Sequence, residues 1–107
     1  MKIYLINQNN TNLYKIGITG RNIDARLKEI QTCNGYKVEV IHLFNTQFNR
    51  TLESALHRHY CPNQTIGEWF ELNDEQVCRF LNECERLESM FELLKNENTY
   101  VQERNLF

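Results

Sequence analysis

The stretch Asn7-Gln8-Asn9-Asn10-Thr11-Asn12 separates two short segments rich in Ile, Leu and Tyr, residues 3–6 and 13–18, and it constrains this chain more than any other feature. Polar residues between two β-prone runs spell a hairpin. With the turn centred on Asn9 and Asn10, Tyr4 falls opposite Lys15. Directly opposed residues of an antiparallel pair share a face, with Cβ atoms roughly 5 Å apart. Gly17 then lies on the same face and leaves a gap where a ligand group can approach the backbone.

Beyond the hairpin, Asn22 is placed to cap a helix that carries Asp24 in its first turn and Ile23, Leu27 and Ile30 as its apolar stripe, ending near Thr32. A turn at Asn34-Gly35 leads into a third strand over 36–44. Thr51 or a neighbouring polar residue opens a second helix with Leu52, Ala55, Leu56 and His59 at helical spacing, and Pro62 ends it. Residues 67–72 form a short aromatic segment, a strand end or a plug. Asn73 or Asp74 caps a final long helix whose stripe runs Val77, Phe80, Cys84, Leu87, Phe91 and Leu94, broadened by Leu81. Its first half is expected to pack against the sheet. Its second half is a candidate homodimer surface, although the heptad spacing lasts under three repeats.

These elements predict an α/β (α+β) fold: a small three-stranded antiparallel sheet flanked by helices, with a long C-terminal helix. One domain over 1–95 and a polar tail over 96–107 with an apolar end at Leu106-Phe107 are expected. No apolar run is long enough to span a bilayer, and the start Met-Lys-Ile-Tyr lacks the blocks of a signal peptide. A cytoplasmic location is expected, or a nuclear one in a eukaryotic host. Cys33, Cys61, Cys78 and Cys84 show no C-x-x-C spacing, so they are read as reduced, small apolar residues.

The net charge of −2 argues against a nucleic-acid partner until its distribution is considered. Residues 1–60 hold eight Lys and Arg against four acids, while the remainder holds four against ten. Screening limits charge interactions to a Debye length of about 10 Å, so the basic half can attract phosphate locally. A solvated surface with an acidic last helix is the plainer reading of the same numbers.

Ile3-Tyr4, then Tyr14-Lys15-Ile16-Gly17-Ile18-Thr19, Arg26, Glu53 with Leu56-His57, and Gly67-Glu68-Trp69-Phe70 follow one another in an order that resembles the GIY-YIG nuclease superfamily. The likeness covers roughly the first two thirds of the chain and is nearest to a small stand-alone subgroup. Lys15 stands where the second word has Tyr, and Lys2 replaces the Gly of the first. The resemblance implies a metal-dependent endonuclease that hydrolyses DNA phosphodiester bonds by in-line attack of water, leaving 5′-phosphate and 3′-hydroxyl ends. The alternative is a catalytically inactive nucleic-acid-binding or interaction module on the same fold. A third reading is a small structural protein that dimerises through its acidic last helix.

Under the resemblance, Tyr4 activates or positions the water, and Lys15 beside it favours the phenolate of a group whose ordinary pKa is near 10. Arg26 neutralises charge developing on the phosphate. It lies three residues after Ile23 and four before Ile30 and so points with the apolar stripe, where a guanidinium needs an anion, either a bound phosphate or Glu53 or Glu29. Glu53 holds Mg2+ or Mn2+, since magnesium takes only one or two protein carboxylates. His57, at i+4 from Glu53, donates to phosphate or orients the carboxylate. Tyr14, Gly17, Thr19, Arg21, Lys28 and Arg58 are the expected contacts to DNA. Trp69 and Phe70 either stack on a base or close the core. His57, His59 and Cys61 make a weak zinc pattern, because alternate residues of a helix point apart.

Overall fold

The computed structural model describes residues 1–20 and 22–105. Its elements are β1 (Lys2–Gln8), β2 (Leu13–Thr19), α1 (Ile23–Asn34), β3 (Val38–Asn45), α2 (Asn49–His59), β4 (Trp69–Glu71), α3 (Asp74–Cys78) and α4 (Phe80–Asn105), with a 3-10 turn at Cys61–Asn63. The sheet is antiparallel in the order β3-β1-β2-β4. It has four strands where three were expected. The aromatic segment after Gly67 supplies the fourth, pairing with Leu13, Tyr14 and Lys15 of β2.

The first hairpin forms as its pattern predicts, but in a different register. Tyr4 pairs with Gly17, and Lys15 pairs with Ile6. The turn takes more chain than a tight two-residue connection: Asn10 adopts a left-handed φ of 63°, and the Asn7 side chain donates to the carbonyls of Thr11 and Leu13. A slip of two residues keeps every side chain on its face, so Tyr4, Lys15 and Gly17 still share one side.

Alternation along β1 feeds two cores. Ile3 and Leu5 join Ile16, Leu52, Leu56, Tyr60, Phe70, Phe80, Cys84 and Leu87 on the face covered by α2 and α4. Tyr4 and Ile6 join Ile30 and Val38, with Ile23 and Leu27 of α1 packed against them, on the other. Each fully buried Leu, Ile or Phe contributes roughly 1.5–3 kcal/mol, which is enough to hold α1 and α2 on opposite faces of so small a sheet.

Local signals explain most boundaries. The Asn22 side chain accepts from the Asp24 amide, and α1 runs to Asn34 and ends at Gly35 in a left-handed cap, two residues beyond Thr32. α2 starts at Asn49, earlier than Thr51, and Pro62 falls in the 3-10 turn that follows it. Asn73 and Gln76 form a capping box, but the last helix breaks at Arg79 into α3 and α4. α4 continues to Asn105, through most of the expected tail, whose Leu106-Phe107 end lies outside the described residues. Among the described residues no helix is long and apolar enough to cross a membrane.

Candidate functional site

Short β4 leaves the far half of β2 at the sheet edge, and a cleft of about 360 Å³ opens there, lined by Tyr4, Ile18, Arg26, Arg50, Glu53, Ser54 and Glu68. Tyr4 comes from one face of the sheet and Glu53 from the helix on the other. Gly17 is what lets them meet. The Tyr4 ring lies across Gly17 so closely that a Cβ at that position would overlap the phenol. The hydroxyl thus reaches the strand edge through the space a side chain would fill.

Burial raises the Tyr4 pKa, and the Arg26 guanidinium facing it works in the opposite direction. Tyr4 is fully buried, yet its hydroxyl and the buried Nε of Arg26 are each left without a well-formed hydrogen bond. The Arg26 guanidinium is still the strongest polar neighbour of the hydroxyl, acting on it first by hydrogen bonding and then by its charge. Nη1 of Arg26 donates to Oε2 of Glu29 at 3.0 Å, so one of the partners considered from the sequence is realised. With both groups about a third or more exposed, that ion pair contributes little to stability.

Lys15 occupies a different place from the one its expected pairing gave. Its Nζ lies 2.9 Å from Oε2 of Glu68 and 5.7 Å from the centroid of the Trp69 ring. The cation that favours the Tyr4 phenolate is consequently Arg26. Lys15 lines an adjoining cleft with Arg26, Glu29, Ile30, Cys33 and Trp69. Arg26 stands between the two hollows and lines both.

Glu53 is half-buried on α2, and its pKa is raised, first by burial and next by the nearby Glu68 carboxylate, against the opposing effects of His57, Lys15 and Arg50. Glu53, His57 and Glu68 each offer a ligand atom within 4.8 Å of the other two. Two carboxylates and an imidazole at that spacing can hold a divalent ion. His57 Nε2 is 2.9 Å from the Ile16 carbonyl oxygen, and its ring meets Phe70 edge-on, which fixes its orientation.

Not every expected contact residue gathers here. Tyr14 packs on the α2 and α4 face near the turn end of β2. Thr19 is buried and lines a neighbouring hollow with Gly20, Arg26 and Glu29. Lys28 and Arg58 are exposed on α1 and α2, and Arg21 lies outside the described residues. Phe70 is fully buried and Trp69 packs on the α1 side of the sheet, as core closure requires. Glu68 is the residue that sequence reasoning passed over. It sits between Gly67, at φ 57°, and Trp69, where a left-handed glycine turns the chain into β4 and presents the carboxylate to the cleft. A charged residue wedged between a turn glycine and two core aromatics was the available signal.

Residues 1–89 match a family model described as the T5orf172 domain, which is nuclease-related. No curated protein and no solved structure matches the chain.

Proposed function

The chain belongs to the T5orf172 domain family, and from that premise we propose that it is a divalent-metal-dependent endonuclease of the GIY-YIG type, hydrolysing DNA to 5′-phosphate and 3′-hydroxyl ends. One observation carries the reading: Tyr4, Arg26 and Glu53, borne by a strand and two helices on opposite faces, line the same cleft.

In this reading Arg26 binds the scissile phosphate and neutralises charge as it develops. Its buried, unpartnered Nε leaves donor capacity for an anion. The raised pKa of Tyr4 keeps the phenol protonated at neutral pH, so its part is to position the attacking water and not to strip a proton from it outright. Glu53 holds Mg2+ or Mn2+, which when bound stabilises the leaving 3′ oxygen. Lys15, tied to Glu68, shapes the field of the cleft, and His57 orients the Glu53 side. Lys28 and Arg58 contribute exposed positive charge for the DNA backbone. A homodimer through Met90, Leu93 and Leu94, all exposed on α4, completes the proposal.

The test is cleavage of mixed duplex, branched and single-stranded DNA in a titration of Mg2+ and Mn2+, with the product ends typed by ligation and phosphatase treatment. Metal-dependent cuts that leave ligatable 5′-phosphates are expected. Salt-sensitive DNA binding without cleavage under any ion would instead assign the fold to a binding module.

A further inference from the structure

The His57 hydrogen bond determines more than its orientation. A carbonyl oxygen only accepts, so the nitrogen facing Ile16 must carry the proton, and the free lone pair of a neutral ring is left on Nδ1. Metal-bound histidines are held in this way, by a backbone carbonyl on the ring nitrogen away from the ion. Glu53 and Glu68 supply oxygen atoms within 4.8 Å of one of the two ring nitrogens of His57. A second observation comes from the opposite face of the sheet: the fully buried Tyr4 hydroxyl, faced by Arg26, lines the cleft shared by the two carboxylates. The cleft wall thus brings two of the three ligand groups, Glu53 and Glu68, beside a buried phenol.

We propose that Glu53, Glu68 and Nδ1 of His57 together hold one divalent ion that accepts imidazole, Mn2+ ahead of Mg2+, and that Glu68 is shared between this ion and Lys15. The inference deepens the nuclease reading by naming the ion and two of its ligands, but it stands on binding alone. Magnesium prefers an all-oxygen shell and dehydrates reluctantly, so an imidazole in the set shifts preference away from it. Lys15 neutralises Glu68 at 2.9 Å and would compete with the cation for that carboxylate.

Calorimetric titration of the full chain with MnCl2 and with MgCl2, without DNA, tests this, and the paramagnetic spectrum of bound Mn2+ gives the stoichiometry. One Mn2+ per chain, bound more tightly than Mg2+, is expected. Glu68→Gln and His57→Ala should each weaken Mn2+ by about tenfold or more. Lys15→Met should tighten it, an opposite sign that loss of folding cannot mimic, and exposed Glu92→Gln should leave it unchanged. Circular dichroism melts without metal establish that each variant is folded. Wild-type Mn2+ affinity in both Glu68→Gln and His57→Ala, or Mg2+ bound more tightly than Mn2+, overturns the site. Cleavage that persists alongside that result leaves the nuclease reading standing. Binding through these residues with no cleavage of any DNA removes the nuclease reading and keeps the ion site.

Discussion

Tyr4 and Tyr60 are both buried phenols whose hydroxyls lack a hydrogen-bond partner among the described residues, and burial raises the pKa of both. Their surroundings then diverge. At Tyr4 the strongest neighbour is the Arg26 guanidinium, which opposes the effect of burial, and the hydroxyl lines an open cleft. At Tyr60 the strongest neighbour is Glu83, which reinforces it, and the ring is stacked with Phe80 and edge-on to His59. An unmet hydroxyl alone therefore does not mark a site. What distinguishes Tyr4 is the cation facing it, since Tyr60 also lines a cleft with two carboxylates, Glu75 and Glu83.

The largest expected effects fall on the Tyr4 side of this comparison. Arg26→Ala and Glu53→Gln should each lower metal-dependent cleavage on the order of a hundredfold or more, equivalent to ~3 kcal/mol of barrier, with thermal melts showing the fold intact. Unchanged nicking of plasmid DNA by either variant would remove the role assigned to that residue. Tyr4→Phe should cost about a hundredfold in rate, whereas Tyr60→Phe should cut DNA like the parent. Equal losses from the two would erase the distinction.

Gly17→Ala is the next test, because it inserts a methyl where the Tyr4 ring lies. Overpacking of this kind costs roughly 1–3 kcal/mol, and here it should also displace the phenol and depress cleavage. Gly35 also resists a side chain, but only through its φ of 72° with open space around it, so Gly35→Ala should lose on the order of 1 kcal/mol in urea denaturation and leave cleavage unaffected. Similar cleavage by the two alanine variants would show that the window at Gly17 is unimportant.

Smaller effects appear with alkali. The buried Cys84 thiol is pushed up to about 12 and Tyr60 is raised as well, so both favour their neutral forms in the folded chain. The stability they contribute is complete below their ordinary values and declines as pH climbs above roughly 9, because the unfolded chain ionises first. Urea midpoints measured from pH 8 to 11 should fall along that range. Ultraviolet titration of Tyr4→Phe and Tyr60→Phe should show Tyr4 ionising before Tyr60, and the reverse order would contradict the Arg26 contact. Iodoacetamide should label exposed Cys33, Cys61 and Cys78 rapidly and spare Cys84 in the native protein.

The hairpin, the three longer helical segments, the third strand and the facing of Arg26 were legible in sequence because each depends on local periodicity or capping. Register was not, since the turn geometry set by Asn7 and Asn10 decides which residues oppose one another. That is why Lys15 meets Glu68 and Ile6 instead of Tyr4. The fourth strand was legible only as a strand end or a plug, because three residues carry too little alternation to read. Glu68 escaped, being remote in sequence from Glu53 and adjacent only once β4 pairs with β2.

The amino-acid sequence by itself determined which face of each strand and helix its side chains occupy, because alternation and helical spacing are properties of the local backbone. Only the tertiary structure decided that Tyr4 and Glu53, reaching in from opposite faces of the sheet, share one cleft. That meeting depends on where β4 stops along β2 and on the space left at Gly17, both of which are set by long-range pairing and not by any local signal.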